Sequence, residues 1–114
     1  MSKIYGIKTC DTVRKARKWL RGHGIEHDFH DFRADGLPEE RLAIWVGAVG
    51  WEALLNRRGV AWRKLPAEKR ANVGEVKALE LIRQEPTLIK RPVLEHEGGV
   101  KVGFSEDDYA DLFH

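Results

Sequence analysis

The sequence predicts an α/β fold with a mixed four-stranded sheet, in the order β-α-β, helical insertion, β-β-α. Three observations carry this. Short segments rich in β-formers open the chain and recur near its end. An amphipathic helix of about ten residues separates the first two strands, a connection that favours a parallel pair with a right-handed crossover. Two adjacent glycines lie between the last two strands and mark an antiparallel hairpin.

The first segment, Lys3-Ile4-Tyr5-Gly6-Ile7, reads as a strand. It runs into Lys8-Thr9-Cys10-Asp11-Thr12, a polar turn whose Thr and Asp side chains suit a helix cap. Over residues 12–21 the pattern is helical: Val13, Ala16 and Leu20 share one face, and Arg14, Lys15, Arg17 and Lys18 lie mostly on the others. Gly22 and Gly24 supply the stop. Residues 25–32 read as the second strand, with Ile25, His27 and Phe29 on one face. Leu37-Pro38-Glu39-Glu40 is a helix start, with proline and acidic residues suited to the first turn. Leu42, Ile44, Trp45 and Val46 follow until Gly47 and Gly50 break the run, and Trp51, Leu54 and Leu55 form a short helical face ended by Gly59. Residues 73–84 form a stronger helix, in which Val76, Leu79 and Ile82 recur three apart, with Pro86 beyond its end. Residues 37–85 are therefore expected to be a helical insertion within one domain spanning 1–114.

The last third returns to strands. Val93-Leu94-Glu95-His96 and Val100-Lys101-Val102-Gly103-Phe104 flank the loop Glu97-Gly98-Gly99. Ser105 then stands as an N-cap before Glu106, Asp107 and Asp108, and a terminal helix is expected to bury Tyr109, Leu112 and Phe113. This is the element order of a thioredoxin-like fold.

Composition narrows the function classes. With 114 residues, 42% hydrophobic and 33% charged, the chain fits one globular domain rather than a disordered tail. No apolar run approaches the roughly 18–20 residues of a membrane span, so no membrane partner is expected. Twenty basic against eighteen acidic residues leave a net charge of +2, too small to imply nucleic acid. The opening residues Met1 to Gly6 carry no long apolar segment, and a cytoplasmic monomer is the expectation. A single cysteine excludes an internal disulfide and a cysteine-rich zinc site. His23, His27, His30, His96 and His114 lack the ligand spacing of a metal centre, so no metal is expected. Trp19, Trp45, Trp51 and Trp62 fall mostly in helical segments and read as core and rim packing rather than base-stacking platforms.

Cys10 is the sharpest chemical feature. It lies between a strand end and a helix start, where unpaired N–H groups and the helix dipole stabilise an anion. A thiolate is favoured at such positions. Lys8, Arg14 and Lys15 add positive potential, and neighbouring Asp11 opposes it. On residues alone two readings stay open, a nucleophilic thiol or a small buried hydrophobe. Arg57 and Arg58, with Arg63 and Lys64 nearby, have the character of a solvated face. Lys90-Arg91-Pro92-Val93 directly precedes a strand, and an arginine there can present a planar fork to a carboxylate or oxyanion.

Three stretches resemble the ArsC-like family, which contains glutaredoxin-dependent arsenate reductases and the Spx regulators. They are Ile4-Tyr5-Gly6-Ile7-Lys8-Thr9-Cys10-Asp11-Thr12-Val13-Arg14-Lys15-Ala16, Trp51-Glu52-Ala53-Leu54-Leu55-Asn56-Arg57-Arg58, and Leu88-Ile89-Lys90-Arg91-Pro92-Val93. The combination is most similar to the YffB branch and covers essentially the whole chain. The resemblance implies a thioredoxin-like domain with a helical insertion, Cys10 as the nucleophile, and Arg91 as an anion-binding arginine before a cis-proline, Pro92. A second anion-binding arginine falls at or beside Asn56, which makes Arg57 the nearest candidate and Arg58 the next. A third, found in the arsenate reductases, falls near Phe104, where this chain has none. The serine often found three residues after the family cysteine is replaced by Val13, which also removes the Cys-x-x-Cys pair of Spx.

The leading expectation is a glutathione-dependent thiol oxidoreductase. One cysteine cannot close a disulfide cycle within the chain, so the second thiol comes from outside. Cys10 attacks a small-molecule or protein disulfide, or an oxyanion substrate, with Lys8, Thr12, Arg57, Arg58, Arg91 and Pro92 as the binding set. In this scheme glutathione is the cosubstrate, and its cysteinyl group aligns on the backbone at Pro92. The rivals are arsenate reduction and a non-catalytic Spx-like regulator that binds RNA polymerase.

Overall fold

The structure is a computed structural model, and residues 2–113 are described; Met1 and His114, the latter one of the five histidines weighed above, lie outside the described residues. The chain forms two compact units, one made of the residues up to Gly36 together with those from Arg91 onward, the other of Leu37–Lys90.

The first unit holds the sheet. Strands β1 (Ser2–Gly6), β2 (His27–Asp31), β3 (Val93–His96) and β4 (Gly99–Val102) lie in the order β2-β1-β3-β4. β1 and β2 are parallel, with Ile4 opposite Phe29; β1–β3 and β3–β4 are antiparallel, with Tyr5 opposite Val93 and His96 opposite Gly99. Helix α1 (Asp11–Gly22) makes the crossover. It buries Val13, Ala16 and Leu20, the face that the apolar spacing predicts. Ile4, Ala16, Leu20, Leu94 and Tyr109 form the core, with Trp19, Ile25, Phe29, Phe104 and Phe113 packed against it.

The end of α1 corrects two expectations. Gly22 is helical, and the stop is Gly24, at φ +68°. The Ile25 N–H donates to the Leu20 carbonyl at 2.9 Å and the Gly24 N–H to the Arg21 carbonyl at 3.1 Å, a Schellman closure. Ile25 therefore belongs to the helix cap, and β2 begins only at His27. At the other end Phe32 leaves the strand, because the Asp31 carboxylate accepts from the Arg33 and Ala34 N–H groups (2.7 and 3.4 Å) and starts the short helix α2 (Phe32–Asp35).

The Leu37–Lys90 unit is helical: α3 (Glu39–Val49), α4 (Trp51–Leu54), α5 (Val60–Arg63), α6 (Ala67–Arg70) and α7 (Glu75–Gln84), followed by a 3-10 turn at Pro86–Leu88. Gly47 lies inside α3, and the break falls at Gly50, whose φ of +83° suits only glycine at low cost. In α7 the buried residues are Ala78, Leu81 and Ile82, while Val76 is 73% exposed. A three-residue spacing drifts off a 3.6-residue face, so Val76 turns outward when Ile82 is inward.

The terminal helix α8 (Glu106–Phe113) starts where expected: the Asp108 N–H donates to Ser105 Oγ at 3.1 Å. Tyr109 is fully buried and Phe113 packs on the core, but Leu112 is exposed. Among the described residues, no helix is long and apolar enough to cross a membrane.

Candidate active site

Cys10 is itself the N-cap of α1, in extended conformation, and its carbonyl accepts the first helical bond from the Arg14 N–H at 3.0 Å. Its own N–H donates to the Ile7 carbonyl at 3.0 Å, which closes the turn after β1. The expected Thr or Asp cap is thus displaced. Serine and aspartate are the usual residues at such a cap; here a cysteine stands at that position, and it is half-buried rather than a core hydrophobe.

Burial pushes the Cys10 thiol up, but the Val13 N–H, the Arg91 side chain through hydrogen bonding and charge, and the Thr12 N–H together outweigh it. The net result is a thiol below its ordinary range. The Val13 and Thr12 N–H groups favour the charged sulfur because a thiolate accepts hydrogen bonds far better than a thiol does. Asp11 does not cancel this field alone, since Arg14 pairs with it at 2.9 Å and also donates to the Thr9 carbonyl.

Arg91 reaches Cys10 through the sheet. The antiparallel pairing of Tyr5 with Val93 brings the residues before β3 alongside the loop after β1. The Arg91–Pro92 peptide bond is cis. Pro92 has no amide hydrogen, and its carbonyl accepts from the Gly103 N–H at 2.8 Å. The structure thus brings Cys10, the Thr12 amide and Arg91 together. Lys8 lies on the same loop with an exposed side chain, and its N–H donates to Asp31 Oδ2 at 3.1 Å.

Arg57 and Arg58 belong to the Leu37–Lys90 unit. Both are exposed, on a loop built by Asn56: the Asn56 N–H donates to the Leu88 carbonyl at 2.7 Å, and its Oδ1 accepts from the Arg58 N–H at 3.1 Å. The Arg57 guanidinium lies 5.9 Å from the Trp51 ring centroid. Arg63 is not merely a solvated cation, because it donates to the Arg58 carbonyl at 3.1 Å and ties this loop down. Phe104 packs edge-on against Tyr109, with the ring centroids 4.7 Å apart.

Sequence reasoning missed Asp31 and Val13. Asp31 accepts from the Lys8, Arg33 and Ala34 N–H groups, so one carboxylate joins the Cys10 loop to the end of β2. An aspartate ahead of Phe32-Arg33-Ala34-Asp35 was a legible cap signal. Val13 contributes a main-chain N–H, for which side-chain identity carries no signal. Among the described residues, no three His, Cys, Asp or Glu side chains gather as a metal site would require.

A model of the ArsC family matches residues 5–112, from β1 through α8, and therefore spans Cys10 and Arg91 together. The chain belongs to the ArsC family.

Individual proteins match over most of the chain. The solved structure of the YffB (PA3664) protein superposes with a TM-score of 0.94 at 46% identity, covering 100% of both chains. An arsenate reductase (ArsC) related protein from Brucella melitensis gives a TM-score of 0.79 at 48% identity, over 98% of this chain and 93% of that one. An uncharacterised protein of Haemophilus influenzae is 42% identical over 99% of both chains. The global transcriptional regulator Spx 2 of Oceanobacillus iheyensis is 32% identical over 92% of this chain and 78% of its own length. The chain is thus similar both to a protein described as arsenate reductase related and to one described as a transcriptional regulator.

Proposed function

We propose that this ArsC-family chain is a glutathione-dependent thiol oxidoreductase with Cys10 as its nucleophile. The observation that carries the reading is a half-buried thiol at the N-terminus of α1, lowered below its ordinary range by two main-chain N–H groups and Arg91. In the first step the Cys10 thiolate attacks the glutathione sulfur of a mixed disulfide. An S–S bond forms on Cys10, the substrate sulfur leaves as a thiolate and takes a proton from solvent, and the substrate is reduced. In the second step the thiolate of reduced glutathione attacks that new bond, releasing oxidised glutathione and regenerating the Cys10 thiolate. The net change is one mixed disulfide plus one glutathione giving one thiol plus one glutathione disulfide. With a single cysteine the resolving thiol is external.

Arg91 supplies positive charge to the sulfur and a fork suited to a glutathione carboxylate. Lys8, exposed on the Cys10 loop, is the further candidate for that role. Arsenate reduction is the less favoured reading, because Phe104 fills a packed position where the arsenate reductases carry an arginine.

Exposure of the purified protein to oxidised glutathione, followed by mass spectrometry, tests the reading. One glutathione adduct on Cys10, reversed by reduced glutathione and absent in Cys10→Ser, is expected. An unmodified Cys10 under these conditions would refute it. The similarity to Spx 2 supports a second reading, a regulator that binds RNA polymerase. Capture of polymerase that is unchanged in Cys10→Ser would favour that reading over the enzyme.

A further inference from the structure

We propose that the cleft between the C-terminal half of α1 and the start of β2 is a separate site that binds the phosphate of a small organic phosphate monoester, through Arg17 and Arg21. The cleft has a volume of about 600 Å³ and is lined by Arg17, Arg21, Gly24, Ile25, Glu26 and His27, all within the sheet unit. At about 1.5 Å per helical residue, Arg21 stands roughly 16 Å along α1 from Cys10. The proposal therefore rests on no part of the Cys10 reading.

Arg17 is held in place before any ligand arrives. Its Nε donates to His27 Nε2 at 3.3 Å, and its guanidinium carbon lies 4.3 Å from the centroid of the Phe29 ring. The bond to Nε2 requires that nitrogen to be unprotonated, so the His27 ring is neutral in this arrangement. Arg21 lies one turn further along the same helix face. Among the described residues neither arginine forms an ion pair with a carboxylate.

The helix end does not account for this charge. The last carbonyls of α1 already accept from the His23, Gly24 and Ile25 N–H groups, so no arginine is needed to satisfy them. Two like charges at i and i+4 repel. Burial, with the charges of Arg17 and Arg21, holds His27 below the usual histidine range against the opposing Ile25 carbonyl and Asp28 carboxylate. The cleft thus gathers two cationic side chains against a single carboxylate, Glu26, which forms an ion pair with neither of them.

An oxyanion matches that environment, because guanidinium forks pair with phosphate oxygens in two parallel bonds. The cleft is far larger than one phosphate group, and Ile25 gives it an apolar wall, so room remains for an organic substituent. Glu26 on the same lining disfavours a second anionic group. That selects a monoester over a polyphosphate.

Binding is tested by NMR titration of the full chain with phenyl phosphate and with inorganic phosphate, at ionic strength held constant with chloride. Saturable shifts of the Arg17 and Arg21 Nε–H and His27 ring signals are expected, tighter for phenyl phosphate. Arg21→Gln, on an exposed helix position, should weaken binding about tenfold or more. Cys10→Ser should leave it unchanged, so this result and the glutathione test fail independently. Shifts that do not saturate, or that persist in Arg21→Gln, would reduce the cleft to a solvated cationic face. Equal affinity for the two probes would overturn the assignment to an organic ester.

Discussion

A Cβ placed on Gly6 would stand 2.6 Å from Val13 Cγ2. The end of β1 and the first turn of α1 therefore meet at a distance that only glycine allows, and Val13 is the residue whose N–H favours the Cys10 thiolate. Valine is stiff about its χ1 torsion and is fully buried here, so it cannot swing clear without moving the helix. Gly6→Ala is expected to cost about 1–3 kcal/mol of stability, as overpacking does. It should also raise the Cys10 pKa by displacing the Val13 amide. Urea unfolding and thiolate absorbance against pH measure the two effects; wild-type values for both would show that the contact is not a constraint.

The Cys10 thiol is expected to titrate below the range of a free cysteine, because two amides and Arg91 together outweigh its burial. Alkylation should therefore stay fast to lower pH than for a free thiol, and fall only as pH drops through the lowered value. Arg91→Ala should move that transition upward, and Arg91→Lys should move it less, since the charge remains and the fork is lost. A transition in Arg91→Ala that overlays the wild type would remove Arg91 from the site.

Glutathione affinity should follow the same residue. Loss of a charge-assisted contact costs on the order of 1.5–3 kcal/mol, so Arg91→Ala should weaken binding roughly ten- to a hundred-fold. Arg63→Ala is not an inert comparison, because its side chain donates to the Arg58 carbonyl. The exposed Arg70 serves as the surface control. Calorimetry at fixed ionic strength orders the set, and equal small losses for Arg91→Ala and Arg70→Ala would unseat Arg91 as a ligand.

Asp31 links pH to stability. Its burial works against ionisation, but the Arg33, Lys8 and Ala34 N–H groups and the Arg33 charge hold its carboxyl below the ordinary carboxylate range. A folded value below the unfolded one means stability that is present above the unfolded value and lost as pH falls through the folded one. Asp31→Ala should lose about 0.5–2 kcal/mol at neutral pH, the range of a helix cap. Thermal melts between neutral and acid pH should then show a shallower acid loss in the variant than in the wild type. Parallel curves would mean that the carboxylate is not the linked group.

Much of the fold was legible because periodicity is local. The inward face of α1, the parallel β1–β2 pair, the antiparallel β3–β4 hairpin and the Ser105 cap follow from spacing and from short-range hydrogen bonding. The errors share a cause as well. Val76 and Leu112 are apolar, but their burial depends on which helix face meets a neighbour, and a three-residue spacing tracks a 3.6-residue turn only briefly. Residue 32 was read as strand because apolar content does not reveal that Asp31 turns its carboxylate onto the next amides.

The sequence by itself determined the place of Cys10, since a strand followed by a polar turn and an amphipathic helix puts position 10 at a helix N-terminus. Tertiary structure alone decided what surrounds the sulfur. Cys10 and Arg91 are distant in the chain, and they meet because β3 pairs antiparallel with β1, Val93 opposite Tyr5, which carries the preceding arginine alongside the turn. Gly6 and Val13 form a close contact only once the parallel β1–β2 pair has set the path of α1. The thiol's acidity then depends on main-chain amides and on one guanidinium brought in across the sheet. Neither is written in the identity of any residue near position 10, because electrostatic stabilisation acts through distance in space rather than separation along the chain.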